Sequence, residues 1–177
     1  MSAPEEIFDV CDEHDRVIGQ APRSVVHANA WLHRAVHIFV FNRQGQFLLH
    51  RRSAKKDQSP LTYTSSASGH LAAGESYDEA APRELEEELG LTGSLERLAT
   101  FPATFETAFE HTVLYRLVTD DPPTPNPDEI ETLEIVSLDE VKRRLTQNSE
   151  EFSSPFRVLL LWYFEHQANA TGRSQSC

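Results

Sequence analysis

The chain is poor in cysteine, in long apolar runs and in basic charge, and each shortage excludes a class of protein. Only Cys11 and Cys177 occur in 177 residues, at opposite ends, so a disulfide framework is not expected and a reducing compartment suits the chain. No apolar run approaches the roughly 20 residues that a bilayer-crossing helix needs. The acidic start, from Met1 to Glu6, lacks the basic-then-apolar order of a signal peptide. Sixteen Lys and Arg against 28 Asp and Glu leave a formal net charge of −12, which argues against general binding to a nucleic-acid backbone. Nucleotides stay open, because a bound cation reverses the local field. The expectation is a soluble cytoplasmic protein with one domain over 1–168, its core at about 32–165, and a disordered polar tail at 169–177.

What is present is concentrated in residues 69–91, GHLAAGESYDEAAPRELEEELGL. Ser76 and Glu79 have capping-box spacing, and Gly90 stands where a helix would stop. Pro82 lies inside the expected helix and predicts either a start near Asp78 or a local bend. At about 100° per residue, Glu84, Glu87 and Glu88 share one arc, beside an apolar stripe of Ala81, Leu85 and Leu89. Three carboxylates within one turn repel each other. Such oxygen-rich clusters suit hard divalent cations, although an arbitrary acidic run is more often a solvated face.

The rest of the chain predicts a platform. Residues 7–11 and 17–20 read as an N-terminal hairpin, and 32–41 with 47–49 as a second hairpin whose first strand is apolar enough to be buried on both faces. Arg51, Arg52, Lys55 and Lys56 form a local basic patch, read either as a solvated loop or as a phosphate-binding surface. Strands are expected over 61–68, 95–105, 112–118 and 131–136, with an exposed proline-rich loop at 120–129. Ser137 and Glu140 open a helix at 138–146, and a last helix covers 155–166. Trp31, Tyr63, Phe105 and Phe109 are candidates to stack on a base, although core packing is the commoner fate of such rings.

Gly69, Glu75, Arg83-Glu84-Leu85, Glu87-Glu88 and Gly90-Leu91 match the Nudix box position for position, so the chain resembles the Nudix family. That resemblance implies an α/β fold, an α/β/α sandwich with a central mixed sheet, here with an N-terminal β-hairpin. It implies hydrolysis of a nucleoside diphosphate derivative or other organic pyrophosphate by water attack on phosphorus, with Mg²⁺ or Mn²⁺. By motif position, Glu84 and Glu88 become metal ligands, and Glu87 a ligand or a base acting through water. Arg83 orients these carboxylates. Gly69 and Gly74 shape the loop, Glu75 ties it to the helix, and Glu106 or Glu110 is a candidate further carboxylate. The implied partner is a small-molecule diphosphate, with no nucleic-acid polymer and no membrane; the oligomeric state stays open.

A finer resemblance, to the isopentenyl-diphosphate isomerase branch, places His27, His33 and His70 with Glu110 where that branch binds a metal. Two positions depart from it: Ser68 stands where the isomerase has a cysteine, and Thr112 where it has a glutamate. A hydroxyl is a poorer acid–base group than a thiol, and the hydrolase box is complete. The expectation is therefore a hydrolase on an isomerase-like scaffold, with an isomerase or a non-catalytic nucleotide sensor as alternatives.

Overall fold

Local signals set the boundaries of the main helix, α2 (Tyr77–Leu89). Ser76 and Glu79 form a reciprocal capping box, and Gly90 closes the helix at φ +62°, a left-handed conformation that glycine adopts without a Cβ penalty. The helix starts at Tyr77 and passes through Pro82. The computed structural model describes the backbone of residues 5–173 and side chains as far as residue 166. Before α2 come β1 (Ile7–Cys11), β2 (Val17–Pro22), α1 (Arg23–Ala28), β3 (His33–Phe41), β4 (Phe47–Arg52), β5 (Tyr63–Thr64) and β6 (Ala67–His70). After it come β7 (Glu96–Phe101), β8 (Glu110–Val118), β9 (Ile130–Val136), α3 (Leu138–Gln147), a 3₁₀ turn (Ser149–Glu151) and α4 (Ser154–Arg173).

The central sheet is mixed. Its main path runs β5-β4-β3-β8-β7, β6 adds to β3 and β9 adds to β4. β3 and β8 pair in parallel over nine positions, and the other pairs are antiparallel. The period-two alternation of a strand divides β3 between two cores. Val36, Ile38 and Val40 pack with Ala81, Leu85 and Leu89 of α2. Phe39 and Phe41 pack with Val141 and Leu145 of α3 and with Phe156, Leu159 and Tyr163 of α4. Helices thus cover both faces, which is the expected α/β/α sandwich, and β1 and β2 form the expected N-terminal hairpin.

Three local expectations are corrected. The second hairpin closes only at Phe41 and Phe47; beyond that turn β3 takes β6 as its partner and β4 takes β9. The two strands therefore splay, and a cavity opens at the wide end. The stretch 61–68 is two short strands rather than one. The strand expected at 95–105 ends at Phe101, just before Pro102, which has no N–H to offer a ladder. At the C-terminus α4 runs to Arg173, and residues 174–177 of the tail expected at 169–177 lie outside those described. No helix among the described residues is long and apolar enough to cross a membrane.

Candidate active site

Alternation along the strands also builds the site. His33, Ala35 and His37 on β3 lie beside Glu110, Thr112 and Leu114 on β8, and His70 and Ser68 on β6 pair with Ala35 and His37. One face of the sheet end therefore carries His33, His37, His70, Ser68 and Glu110. The carboxylates of α2 approach from the other face, and Gly69 admits them. A Cβ on Gly69 would lie 2.1 Å from the Glu84 carboxyl carbon, so any other residue there must push that carboxylate aside. Glu88 accepts a hydrogen bond from the Ser68 N–H at 3.2 Å. Both glutamates line a cavity of about 150 Å³.

Arg83 holds this arrangement from outside. Its guanidinium donates to both oxygens of Glu75 at 2.7 and 2.8 Å, to Glu84 at 2.7 Å, to Glu87 at 3.2 Å and to the His70 carbonyl at 3.1 Å. Glu75 also accepts from the Ala72 N–H at 2.9 Å, tying loop to helix as expected. The Gly74 N–H donates to Asp9 at 2.9 Å and anchors the same loop to the N-terminal hairpin. Glu87 itself is exposed, on the outer side of Arg83, and does not line the cavity.

The electrostatics are those of crowded, desolvated acids. Burial pushes the Glu84 carboxyl up to about 7, despite Arg83 beside it. Glu88 is raised well above the carboxylate range by burial, then by Glu84 and by Glu129. Glu129 was not singled out in the sequence. It sits just before β9, is paired with Lys56 and lines the cavity. The proline-rich loop that carries it is exposed, as expected, but is also tied to α2: the N–H groups of Thr124 and Asn126 donate to the carbonyls of Leu89 and Glu88. His50 lies beneath, 3.7 Å from Glu88, and desolvation lowers it to about 4.

The basic patch divides. Arg52 and Lys56 line the cavity, and the Arg52 side chain makes one hydrogen bond among the described residues, from Nε to the Gln58 carbonyl at 3.1 Å. Arg51 instead donates to the Leu61 carbonyl, and Lys55 pairs with Asp128 on the surface at 2.6 Å; neither lines the cavity. Arg23, unremarked in the sequence, takes a place at the rim between Glu6 and Asp57. Glu106 is exposed and turns its carbonyl to Ser154, so of the two candidate further carboxylates only Glu110 belongs to the site.

The histidines meet. Ligand atoms of His27, His33 and His70 all lie within 4.8 Å of one another. Glu110 is 3.0 Å from His70 and 3.9 Å from His33. Phe8 covers the group, with its ring 4.8 to 5.8 Å from the three imidazoles. This explains the hairpin and α1, which deliver Phe8 and His27. The cluster fits a cation on its own evidence. His33 donates from Nδ1 to the Trp31 carbonyl at 2.8 Å, which leaves its Nε2 lone pair free, and among the described residues the buried Nε2 atoms of His27 and His33 have no hydrogen-bond partner. The Gln58 side-chain N–H donates to His27 Nδ1 at 2.8 Å, which puts the proton of the neutral ring on Nε2, so a cation there would displace that proton. Desolvation lowers His33 to about 4 and His70 to about 3, so the rings are neutral, as metal ligation requires.

Comparisons with known proteins place the chain in a family. Residues 31–156 match the NUDIX domain. An isopentenyl-diphosphate Delta-isomerase of Pectobacterium atrosepticum is 34% identical over 152 residues, 83% of this chain and 85% of that one. A protein of Streptomyces coelicolor, described as an uncharacterized Nudix hydrolase, is 46% identical over 93 residues, about half of each chain (52% and 51%). A crystal structure from Deinococcus radiodurans superposes with a TM-score of 0.72 at 31% identity, covering 80% of this chain and 90% of its own. The domain match spans most of the chain and contains the Glu84–Glu88 helix, the Gly69 passage and His33, His70 and Glu110 of the histidine cluster, with His27 just before its start, so the chain belongs to the Nudix family.

Proposed function

We propose that this protein is a divalent-metal-dependent pyrophosphohydrolase acting on a small-molecule diphosphate. The carrying observation is that Glu84, seated where a Gly69 Cβ would be, and Glu88 line one cavity together with Arg52 and Lys56. Two desolvated carboxyls at this spacing disfavour their own ionisation, a state that a divalent cation relieves. Mg²⁺ or Mn²⁺ held by Glu84 and Glu88 would supply charge neutralisation at the phosphates and a lowered pKa for water.

The chain's own groups do the rest. Arg52 and Lys56 receive phosphate oxygens, and Arg83 keeps Glu84 aimed. Glu129 is the carboxylate that takes the proton as water oxygen bonds to phosphorus and the bridging P–O bond breaks; the leaving phosphate carries away the bridging oxygen. Glu87 balances Arg83 rather than acting on water, because it lies outside the cavity. A phosphate-release assay with Mg²⁺ and Mn²⁺ tests this. Glu88→Gln is expected to lose about 100-fold or more in kcat, and activity at the wild-type level in that variant would refute the assignment.

A second reading is favoured by one observation, the His27/His33/His70/Glu110 cluster beside the cavity. On that reading the protein is an isopentenyl-diphosphate isomerase, as its Pectobacterium relative is described. Ser68 lines the cavity at the position where that branch has cysteine, which disfavours proton transfer at carbon. Uptake of solvent deuterium into isopentenyl diphosphate without loss of phosphate would establish it.

A further inference from the structure

The uncharged part of the cavity lining is polar where an alkenyl tail would want it apolar. His37 and Ser68 lie side by side on β3 and β6, and Thr64 and Ser153 continue the wall, 3.4 Å apart at their hydroxyls. Ala35, Ala108 and Pro155 are its apolar members; among the described residues no large aliphatic side chain lines it. The candidate stacking rings are elsewhere. Tyr63 packs on Phe152, Phe105 is 77% exposed beside Phe109, and Trp31 lies in a separate apolar groove with Ile18.

His37 is the informative member. Its Nδ1 is 2.7 Å from the Ser65 hydroxyl, and Ser65 is fully buried. Among the described residues the Ser65 proton has no other acceptor, so Ser65 donates to Nδ1 and the ring proton sits on Nε2. Among the described residues His37 Nε2 has no hydrogen-bond partner, and His37 lines the cavity. A directed N–H donor therefore opens onto the ligand space. A site built to hydrogen-bond a hydroxyl rejects the analogue that lacks it, because its own polar group is then stranded.

We propose that the cavity takes the diphosphate of a small hydroxylated compound, of sugar or polyol type, and that His37 Nε2–H is the group that reads the hydroxyl. This deepens the diphosphate reading above and rests on it. The test uses the full chain in Mg²⁺. Turnover is measured on ribose 5-phosphate 1-diphosphate, ADP and isopentenyl diphosphate, and binding of methylene-bridged analogues of the three is measured by calorimetry. The hydroxylated small analogue is expected to bind about tenfold or more tighter than the isopentenyl one. His37→Leu should shrink that ratio about tenfold, and His37→Gln, which keeps an N–H donor, should restore much of it. A merely structural role would lower all three affinities together and would overturn the proposal. So would tighter binding of the isopentenyl or ADP analogue than of the sugar analogue. If the binding order holds and turnover is absent, the hydrolase reading fails while this one stands.

Discussion

Gly69 shows how one missing side chain organises a site. The Glu84 carboxylate occupies the space where a Cβ would be, 2.1 Å from the carboxyl carbon and backed by Arg83. Gly69→Ala must push Glu84 aside. Hydrolysis is expected to fall about 100-fold, and Mg²⁺ affinity, measured by calorimetry, should fall with it. Near-wild-type values would mean that Glu84 does not hold the cation. Glu88→Gln makes a different prediction for stability: it removes a charge that burial disfavours, so the metal-free variant should melt no lower than the wild type. The box positions, from Gly69 to Gly90, were legible in the sequence because their spacing is local. Glu129 was not, because a glutamate in a proline-rich loop carries no periodic signal, and only the β4–β9 pairing brings it to Lys56. His37 left a faint mark, a polar residue within the apolar run of β3, that could have been read.

At the scale of elements, α2 is a rigid arm whose ends are both tied. The Ser76–Glu79 box closes its start, with the Ser76 N–H bonded to Glu79 at 2.9 Å. Ser76→Ala should cost about 1 kcal/mol and lower the melting temperature by about 2–4 °C, as read by calorimetry. The N-terminal hairpin has a similar supporting part, since Phe8 covers His27, His33 and His70. The hairpin itself was readable from its alternation; its purpose was not, because residue 8 and residue 70 meet only in the tertiary fold. The second hairpin was misjudged for a related reason. Turn residues predict where two strands meet, whereas the hydrogen-bond partners beyond Phe41 and Phe47 are chosen by β6 and β9.

For the whole molecule, the buried acids and imidazoles impose a pH profile of stability. Burial lowers His27, His33, His37, His50 and His70, so the folded state loses stability as pH falls from about 6.5 toward 4 and the unfolded chain binds protons first. Burial raises Glu84 and Glu88, so the folded state loses stability as pH rises from about 4.5, where the unfolded chain gives up these protons, through about 7 for Glu84 and further up for Glu88. Metal-free protein should therefore melt highest near neutral pH. Divalent cation at about 100 times its dissociation constant should add about 2.7 kcal/mol and flatten the alkaline limb. Melting curves from pH 5 to 9, with and without Mg²⁺, check both limbs. An alkaline limb unmoved by metal would contradict binding at the glutamates.

Water attack on phosphorus, in the cavity that Glu88 and Arg52 line, leaves an isotopic signature. Turnover in ¹⁸O-labelled water, with products read by mass spectrometry, tests it most directly. One labelled oxygen is expected in a phosphate product and none in a hydroxyl of the organic product, with the label absent from Glu88→Gln reactions over the same time. Label in the organic hydroxyl, or an intact diphosphate rearranged without label, would contradict it.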